Sequence, residues 1–215
     1  MSAVLPDGAI VSIASTYGSA KTVTAITNAN PGVVTSTTHG LTDGNIIEVT
    51  SGWSKLDKRI ARVDNSATDS FDLEGIDTTS TTNYPAGAGV GSVRQISAWT
   101  EIAQIINSSS SGGDQNFVDF GYLSELDNRQ LPGSRSPQSI SFDIADDDTL
   151  AHWAILAAAD EDRLVRAIRI QLVTGAVIYH NAIITFNQNP TLTKGQVMAV
   201  KATLSLQARL TRYSS

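Results

Sequence analysis

The 215-residue sequence contains three histidines, the residues best suited to acid–base or metal chemistry near neutral pH. His39 lies in a predicted turn, His152 on a predicted helix and His180 on a predicted strand, and their spacing matches no metal-ligand pattern. Cysteine does not occur, which excludes thiolate metal ligands, thiol nucleophiles and disulfides. We therefore interpret the histidines as structural residues.

An acidic group is the second place where residue types suggest chemistry, because carboxylates bind hard cations. It consists of Asp143, Asp146, Asp147 and Asp148. A calcium loop needs a glycine at its sharp turn, and no such loop follows. Aspartate is also favoured at a helix start, where it caps free N–H groups and suits the helix dipole. We predict a helix start here, with no metal and no cofactor.

Short motifs of the common enzyme classes do not occur in the sequence, whether G-x-S-x-G, a phosphate loop or H-E-x-x-H. The glycine-rich residues 85–91 resemble a dinucleotide fingerprint superficially, but no predicted strand leads directly into them and no helix follows. Since no constellation of catalytic groups can be assembled, we predict that the protein is not an enzyme.

Composition and charge further restrict the class of protein that this sequence can encode. The chain carries 15 Lys+Arg and 21 Asp+Glu, a formal charge of −6, with a sequence pI near 4.9. A dedicated nucleic-acid-binding protein would normally be basic. Only 17% of residues are charged, whereas Ser and Thr number 46, so the surface is polar mainly through hydroxyl groups. A hydrophobic fraction of 41% is typical of a globular chain with a buried core.

The first eight residues lack the basic and apolar regions of a secretory signal. The longest apolar run, residues 153–159, is shorter than the roughly 20 residues that span a bilayer. These features predict a soluble protein that is made in a cytoplasm and has no membrane partner.

Short apolar runs alternate with turn signals through the first hundred residues. This spacing predicts antiparallel strands over residues 9–15, 23–27, 33–37, 45–50, 59–63, 71–73 and 91–96. The glycine-rich residues 85–91 are predicted to form a loop.

One long helix is predicted at about residues 147–160. Its apolar residues follow the i, i+3, i+4, i+7, i+8 spacing of a stripe that faces a core. The stripe consists of Leu150, Trp153, Ala154, Ala157 and Ala158.

After the helix the hydrophobic period changes to two, which predicts strands. The clearest alternation covers residues 198–211, where the even-numbered residues are apolar and the odd-numbered ones mostly polar. It predicts a strand of about 14 residues with one face on the core. Its polar ladder consists of Lys201, Thr203, Ser205, Gln207 and Arg209.

Two polar segments, residues 107–116 and 125–138, are predicted to be long loops. They flank predicted strands at 117–123 and 139–144. Loops of this length are commonly functional or become ordered on a partner.

Trp53 follows Gly52 in a predicted turn, where an exposed ring could serve as a binding platform. Together with the threonine-rich surface, it supports an alternative function as a carbohydrate- or surface-binding β module.

The order of these parts resembles the major tail tube proteins of long-tailed (siphovirus-type) bacteriophages. The resemblance covers residues 96–215 and the amino-terminal strand. It is carried by Trp99-Thr100-Glu101-Ile102, the Ser/Gly segment, the strand at 117–123, Leu131-Pro132-Gly133, the strand at 139–144, the Asp-capped helix with Trp153, and Arg212-Tyr213.

Residues 22–95 resemble a small all-β module that recurs in phage tail proteins. This likeness is carried by Thr38-His39-Gly40-Leu41 and by residues 43–47, 56–63, 69–73 and 77–79. Asp57-Lys58 stands where the module is expected to have an Asn-Gly turn.

The resemblance implies a mainly β fold, an antiparallel β-sandwich or partly closed barrel with one flanking α-helix and an inserted β module. Residues 1–21 would form an amino-terminal arm and the first strand of the tube core. Residues 22–95 would form the inserted module on the tube exterior, and residues 96–215 the tube core domain.

It also implies a structural virion protein that forms hexameric rings, stacked into the hollow tail conduit for genome delivery. Its partners would be other copies of itself and the tape-measure, tail terminator and distal tail or baseplate proteins. Phage DNA would pass through the lumen without specific binding, because a net negative wall repels phosphates. A second alternative is a terminator or baseplate ring component on the same fold.

The resemblance gives the two candidate surfaces their roles. The polar ladder would line the lumen, with a solvated exterior or an interface as the alternatives. The two polar segments would order against the adjacent subunit or ring, with candidate contacts at Ser108, Ser110, Gly112, Asp114, Asn128, Arg129, Pro132 and Arg135.

Overall fold

The structure is a computed structural model, and it describes residues 5, 7–124 and 126–214. Residues 1–4 and 6 of the predicted arm, and residue 125 of the second predicted loop, lie outside the described residues. The described chain forms sixteen strands and one helix.

The first eight strands follow the predicted spacing closely. They are β1 (Ile10–Tyr17), β2 (Lys21–Val23), β3 (Ala25–Ile26), β4 (Val33–Thr35), β5 (Ile46–Ser51), β6 (Ile60–Asp64), β7 (Ser70–Leu73) and β8 (Gly91–Glu101). The later elements are β9 (Ile105–Ser111), β10 (Gln115–Phe120), β11 (Arg129–Arg135), β12 (Ser139–Ala145), α1 (Ala151–Asp162), β13 (Arg166–Gln171), β14 (Val177–Thr191), β15 (Ala199–Leu206) and β16 (Thr211–Tyr213).

Fourteen strands form one curled antiparallel sheet in the order β3-β4-β7-β6-β5-β8-β1-β13-β14-β15-β12-β9, with β2 paired to β8 and β16 to β14. Strands β10 and β11 form a separate two-stranded sheet, called the hairpin below. Strand β8 pairs with β2 and β5 through its first residues and with β1 through its last. It therefore joins the predicted module to the predicted core. The predicted fold class, a mainly β partly closed barrel with one flanking helix, is confirmed.

Three apolar clusters stabilise this architecture. The first lies inside the module and includes Trp53 and Phe71. The second collects residues of β1, β12, β13, β14 and β15 under α1, so the sheet curls around it. The third includes Ile60 of the module and Tyr179 and Tyr213 of the core, and it packs the module against the opposite face of the sheet.

The helix begins about four residues later than predicted. The carboxylate of Asp147 accepts hydrogen bonds from the N–H and the hydroxyl of Thr149, so the aspartates form a turn before the helix. Leu150 is the N-cap and makes no side-chain capping bond. The prediction of an aspartate-capped start at residue 147 is therefore wrong in position.

The predicted helix stripe is also displaced. The buried residues of α1 are His152, Leu156 and Ala159. Trp153 is half-buried against the same cluster, whereas Ala154 is exposed. Because every position from 153 to 159 is apolar, the sequence pattern does not define which side of the helix faces the core.

The predicted 14-residue strand is divided by a bend. Strand β15 ends at Leu206, and the N–H of Gln207 donates to the carbonyl oxygen of Asn181 (2.8 Å) as the chain turns away. Strand β16 then starts at Thr211, which is odd-numbered like the polar residues of β15 but is buried, because residues of the module cover that face of the sheet there. Gln207 and Arg209 consequently lie outside the strand.

The two predicted loops are largely strands. Ser108 and Ser110 belong to β9, an edge strand whose backbone pairs with β12, while Arg129, Pro132 and Arg135 belong to β11. Polar composition was a poor guide here because backbone pairing, rather than apolar burial, holds these residues.

Trp53 is 1% exposed, so the prediction of an exposed binding platform is wrong. Its Nε1–H donates to the carbonyl oxygen of Pro85 (2.7 Å), and its ring packs edge-on against Tyr84 (5.2 Å). A Cβ on Gly89 would approach the indole to 3.0 Å, so any larger residue here would require the Trp53 ring to shift by a few tenths of an ångström.

Candidate lumen and assembly surfaces

The polar face is a set of three side-chain rows that cross β9, β12, β15 and β14. The register aligns Asn107, Asp143, Lys201 and Asn187; then Ser109, Ser141, Thr203 and Thr185; then Ser111, Ser139, Ser205 and Ile183. These rows lie on the opposite side of the sheet from the cluster under α1, because side chains alternate along each strand.

Cross-strand contacts connect the rows. The hydroxyls of Ser111 and Ser139 are 2.9 Å apart, and those of Ser141 and Thr203 are 3.2 Å apart. Thus the face presents hydroxyl groups that already bond to each other and remain open to solvent.

Charge on the polar face is balanced. Lys201 Nζ lies 3.8 Å from an Asp143 carboxylate oxygen, and the amide of Asn107 donates to the other oxygen (3.3 Å). The three rows contain no other charged residue. A neutral, hydroxyl-rich face offers a phosphate backbone neither a cationic cluster nor an apolar base-stacking surface.

Of the predicted ladder, the structure brings Lys201, Thr203 and Ser205 together and excludes Gln207 and Arg209. Sequence reasoning missed the partners on β9. Residues 107–111 are polar at every position, so they lack the apolar–polar alternation by which a strand is recognised in a sequence. Pairing with β12 alone selects Ser109 and Ser111 for this face and leaves Ser108 and Ser110 on the other.

Farther along the same sheet face, the module covers the polar groups. Asn181 Nδ2 donates to the carbonyl oxygen of Lys58 (2.9 Å), and Arg59 Nε donates to Thr211 Oγ1 (2.9 Å). Tyr213 is buried nearby, in the third apolar cluster with Ile60 of the module, and this burial raises the pKa of its hydroxyl to about 12. The covered part of this sheet face lies at β16 and the first half of β14, whereas the polar face lies at β9, β12, β15 and the second half of β14.

The hairpin projects apolar side chains into solvent. Val118 lies opposite Leu131 and Phe117 opposite Pro132, and the three larger side chains are all more than half exposed. Gly112 adopts a φ of +79° at the hairpin base, where a Cβ would meet the Pro137 carbonyl oxygen at 1.9 Å. This base therefore requires glycine.

The predicted contact residues are distributed around this hairpin. Gly112 and Asp114 lie in its first connection, and Asn128 precedes β11. Arg135 Nε is within hydrogen-bond distance of Gln115 Oε1 (3.4 Å) across the two strands.

The histidines occupy separate buried positions. Burial lowers the pKa of His152 and of His180, while His39 accepts a hydrogen bond at Nδ1 from the Leu41 N–H (3.0 Å). Among residues 5, 7–124 and 126–214, no three His, Asp or Glu side chains are grouped as metal ligands. No helix in the described part of the chain is both long and apolar enough to cross a membrane.

These features define a class: a structural antiparallel β protein with a broad hydroxyl-lined face and a projecting hairpin. A family model described as phage tail tube protein, TTP, matches residues 51–215. The chain belongs to the phage tail tube protein family and is a structural component of the virion. The match begins inside the predicted module and includes the whole predicted core. No curated protein matches the chain significantly.

Proposed function

We propose that this protein is the major tail tube subunit, which polymerises as stacked hexameric rings into the hollow conduit for genome delivery. The observation that supports this proposal most directly is the polar face across four strands in a chain of the tail tube family. Among the described strands, β9 ends the sheet and has one unpaired edge, and ring closure would cover such an edge.

The polar face is the proposed lumen wall, including Lys201, Thr203 and Ser205. Its hydroxyl groups keep water at the wall, and Asp143 offsets the charge of Lys201. The net charge of −6 per subunit adds long-range repulsion of DNA. DNA would therefore pass without specific binding.

Residues 22–95 are the proposed exterior module, and residues 96–215 the tube core. The hairpin and its base, with Asn128, Arg129, Pro132 and Arg135, are the proposed contact with the adjacent subunit or ring. Tape-measure, terminator and distal tail or baseplate proteins are the proposed tail partners.

Electron microscopy of dilute and concentrated protein in negative stain, with a tail initiator or tape-measure partner, tests the assembly directly. Hollow tubes of stacked rings are expected. Closed rings that never stack would instead indicate a terminator or baseplate component, and persistent monomers would contradict the proposal.

Cysteine labelling tests which surface lines the lumen, because the native chain contains no cysteine. Ser205→Cys places a thiol on the polar face, and the control Thr81→Cys places one on the exposed module surface. In tubes, a small maleimide should label both, whereas a bulky polymer maleimide should label only residue 81. Equal bulky labelling at both positions would exclude the lumen assignment, and protection of residue 81 would exclude an exterior module.

A further inference from the structure

A basic groove of about 780 Å³ lies where the module, the hairpin base and the end of β15 meet. Four cationic side chains line it: Lys55 and Arg59 from the module, Arg135 from the hairpin, and Arg209 from the bend after β15. Asp114 is the single acidic residue among the described residues of the lining. Four cations against one acid form a positive site in a chain whose formal charge is −6.

Within the described residues, none of these four cations forms an ion pair. Their bonds are to neutral groups: Lys55 contacts Asn83, Arg59 bonds to Thr211, and Arg135 contacts Gln115. Burial and the neighbouring Arg209 both lower the pKa of Arg59. An anion in the groove would relieve this repulsion.

An acidic end lies at the opposite end of the same strands. Asp146 and Asp148 directly follow β12, where Ala145 pairs with Ala199 at the start of β15. The groove lies at the other end of this pairing, beyond Ser139 and Ser205. Six residue steps of about 3.3 Å place the two ends about 20 Å apart. Neither aspartate forms an ion pair in the part of the chain that the structure describes.

Apolar side chains accompany the charges at both ends. Leu210 lines the groove and is 47% exposed, while Met198 is 48% exposed and its carbonyl oxygen accepts from the Asp146 N–H (2.9 Å). Val197, 68% exposed, is beside it. The two ends thus match in apolar character and oppose each other in charge.

We infer that the basic groove receives the acidic end, Asp146 to Asp148, of a second copy of this chain in the next ring. The inference rests on the proposed ring stacking. It adds that every ring in the stack faces the same way, with its groove toward the acidic end of the next ring. Two different surfaces at opposite ends of one subunit form a head-to-tail contact, which repeats without closing and so generates a filament.

Charge reversal tests the pairing. Arg135→Glu with Arg209→Glu reverses the exposed part of the groove, and Asp146→Lys with Asp148→Lys reverses the acidic end. Each pair of substitutions should leave rings intact but abolish stacking at about 0.1 M salt. A chain that carries all four substitutions restores opposite charges across the contact and should stack again. Lys21→Glu, on β2 and not among the residues that line the groove, is the control for a more negative net charge.

Salt provides a second measurement on the unmodified protein. Raising the ionic strength from about 0.1 M to about 1 M shortens the screening length from about 10 Å to about 3 Å. Tubes should therefore shorten or dissociate into rings. Thermal unfolding of the dilute variants establishes that each one is folded.

Three results would overturn the inference. The first is folded groove variants that still form normal tubes, and the second is a folded four-substitution chain that does not regain stacking. Loss of rings in the groove variants would also overturn it, because the groove would then act within a ring. In all three cases the unmodified protein still forms tubes. Failure of the unmodified protein to form rings or tubes would instead contradict the proposed function.

Discussion

Arg62 and Tyr213 are 151 residues apart in sequence, yet the backbone N–H of Arg62 donates a 2.7 Å hydrogen bond to the Tyr213 hydroxyl. The Arg62 guanidinium also lies 4.3 Å from the centre of the tyrosine ring, and the hydroxyl donates to the Glu74 carbonyl oxygen (3.2 Å). A similar contact occurs at Tyr17, whose hydroxyl accepts from the Ala167 N–H (2.8 Å) beneath Arg94. Module and core are therefore joined at specific positions.

Tyr213→Phe should destabilise the protein. The substitution keeps the ring but leaves the Arg62 N–H without its partner, which costs about 1–3 kcal/mol for a buried donor. Urea unfolding measures the change in the free energy of unfolding. Tyr122→Phe is the matched control, because Tyr122 is 60% exposed. Equal effects of the two substitutions would show that the Tyr213 hydroxyl does not stabilise the contact.

Alkaline pH should weaken the same contact. The pKa of Tyr213 is raised from 10.0 to about 12, so the folded state retains a proton that the unfolded state loses. The stabilisation is complete below pH 10 and is lost as the pH rises from 10 to about 12, by about 2–3 kcal/mol. Unfolding measured across this range should show a smaller pH dependence in Tyr213→Phe. An unchanged dependence would contradict this assignment.

Strand positions in the first hundred residues could be predicted from sequence because apolar residues and turn signals alternate there. Ser70-Phe71-Asp72-Leu73 illustrates this, since Phe71 and Leu73 are buried and their neighbours are half-buried. Strand β9 could not be predicted, because its five polar residues from 107 to 111 have no alternation and are held by pairing with β12.

The polar ladder was only partly predictable. Alternation correctly separates Thr203 from Ala202 and Leu204, but it continues without interruption through the bend at Gln207. A change of strand direction is a tertiary event that local periodicity does not record. The basic groove could not be predicted from the sequence either, because Arg59 and Arg209 meet only after the module packs on the core.

Acidification should destabilise the protein through its buried histidines. Burial lowers the pKa of His180, and that of His152 despite the opposing fields of Asp147 and Glu101. The unfolded state therefore binds protons first, so stability is complete above the ordinary pKa of 6.5 and falls as the pH drops below it. Unfolding at pH 7.5 and 5.5 should show a smaller difference in His180→Gln than in the unmodified chain. An equal difference would assign the acid sensitivity to other groups.

Lys58→Gly should stabilise the module. Lys58 is exposed and adopts a φ of 58°, the left-handed conformation that glycine adopts without steric cost. Relief of this strain, less the added freedom of the unfolded chain, is worth about 0.5–1 kcal/mol. Lys58→Ala is the control, since it removes the side chain but keeps the strained backbone. Differential scanning calorimetry should show a higher Tm for the glycine variant only, and a lower Tm would contradict the strain argument.

Leu131→Ser should impair tube growth without destabilising the subunit. Leu131 is 55% exposed on the hairpin, opposite Val118, so the free subunit gains little from its apolar surface. An exposed substitution normally changes stability by no more than about 0.5 kcal/mol. Burial of the exposed half of this side chain against a neighbouring copy would, in contrast, contribute about 0.8–1.5 kcal/mol at each contact. Light scattering of concentrated protein should therefore show a higher critical concentration for assembly. Leu164→Ser, at a 58% exposed position after α1, is the control, and equal assembly of both variants would exclude the hairpin from the contact.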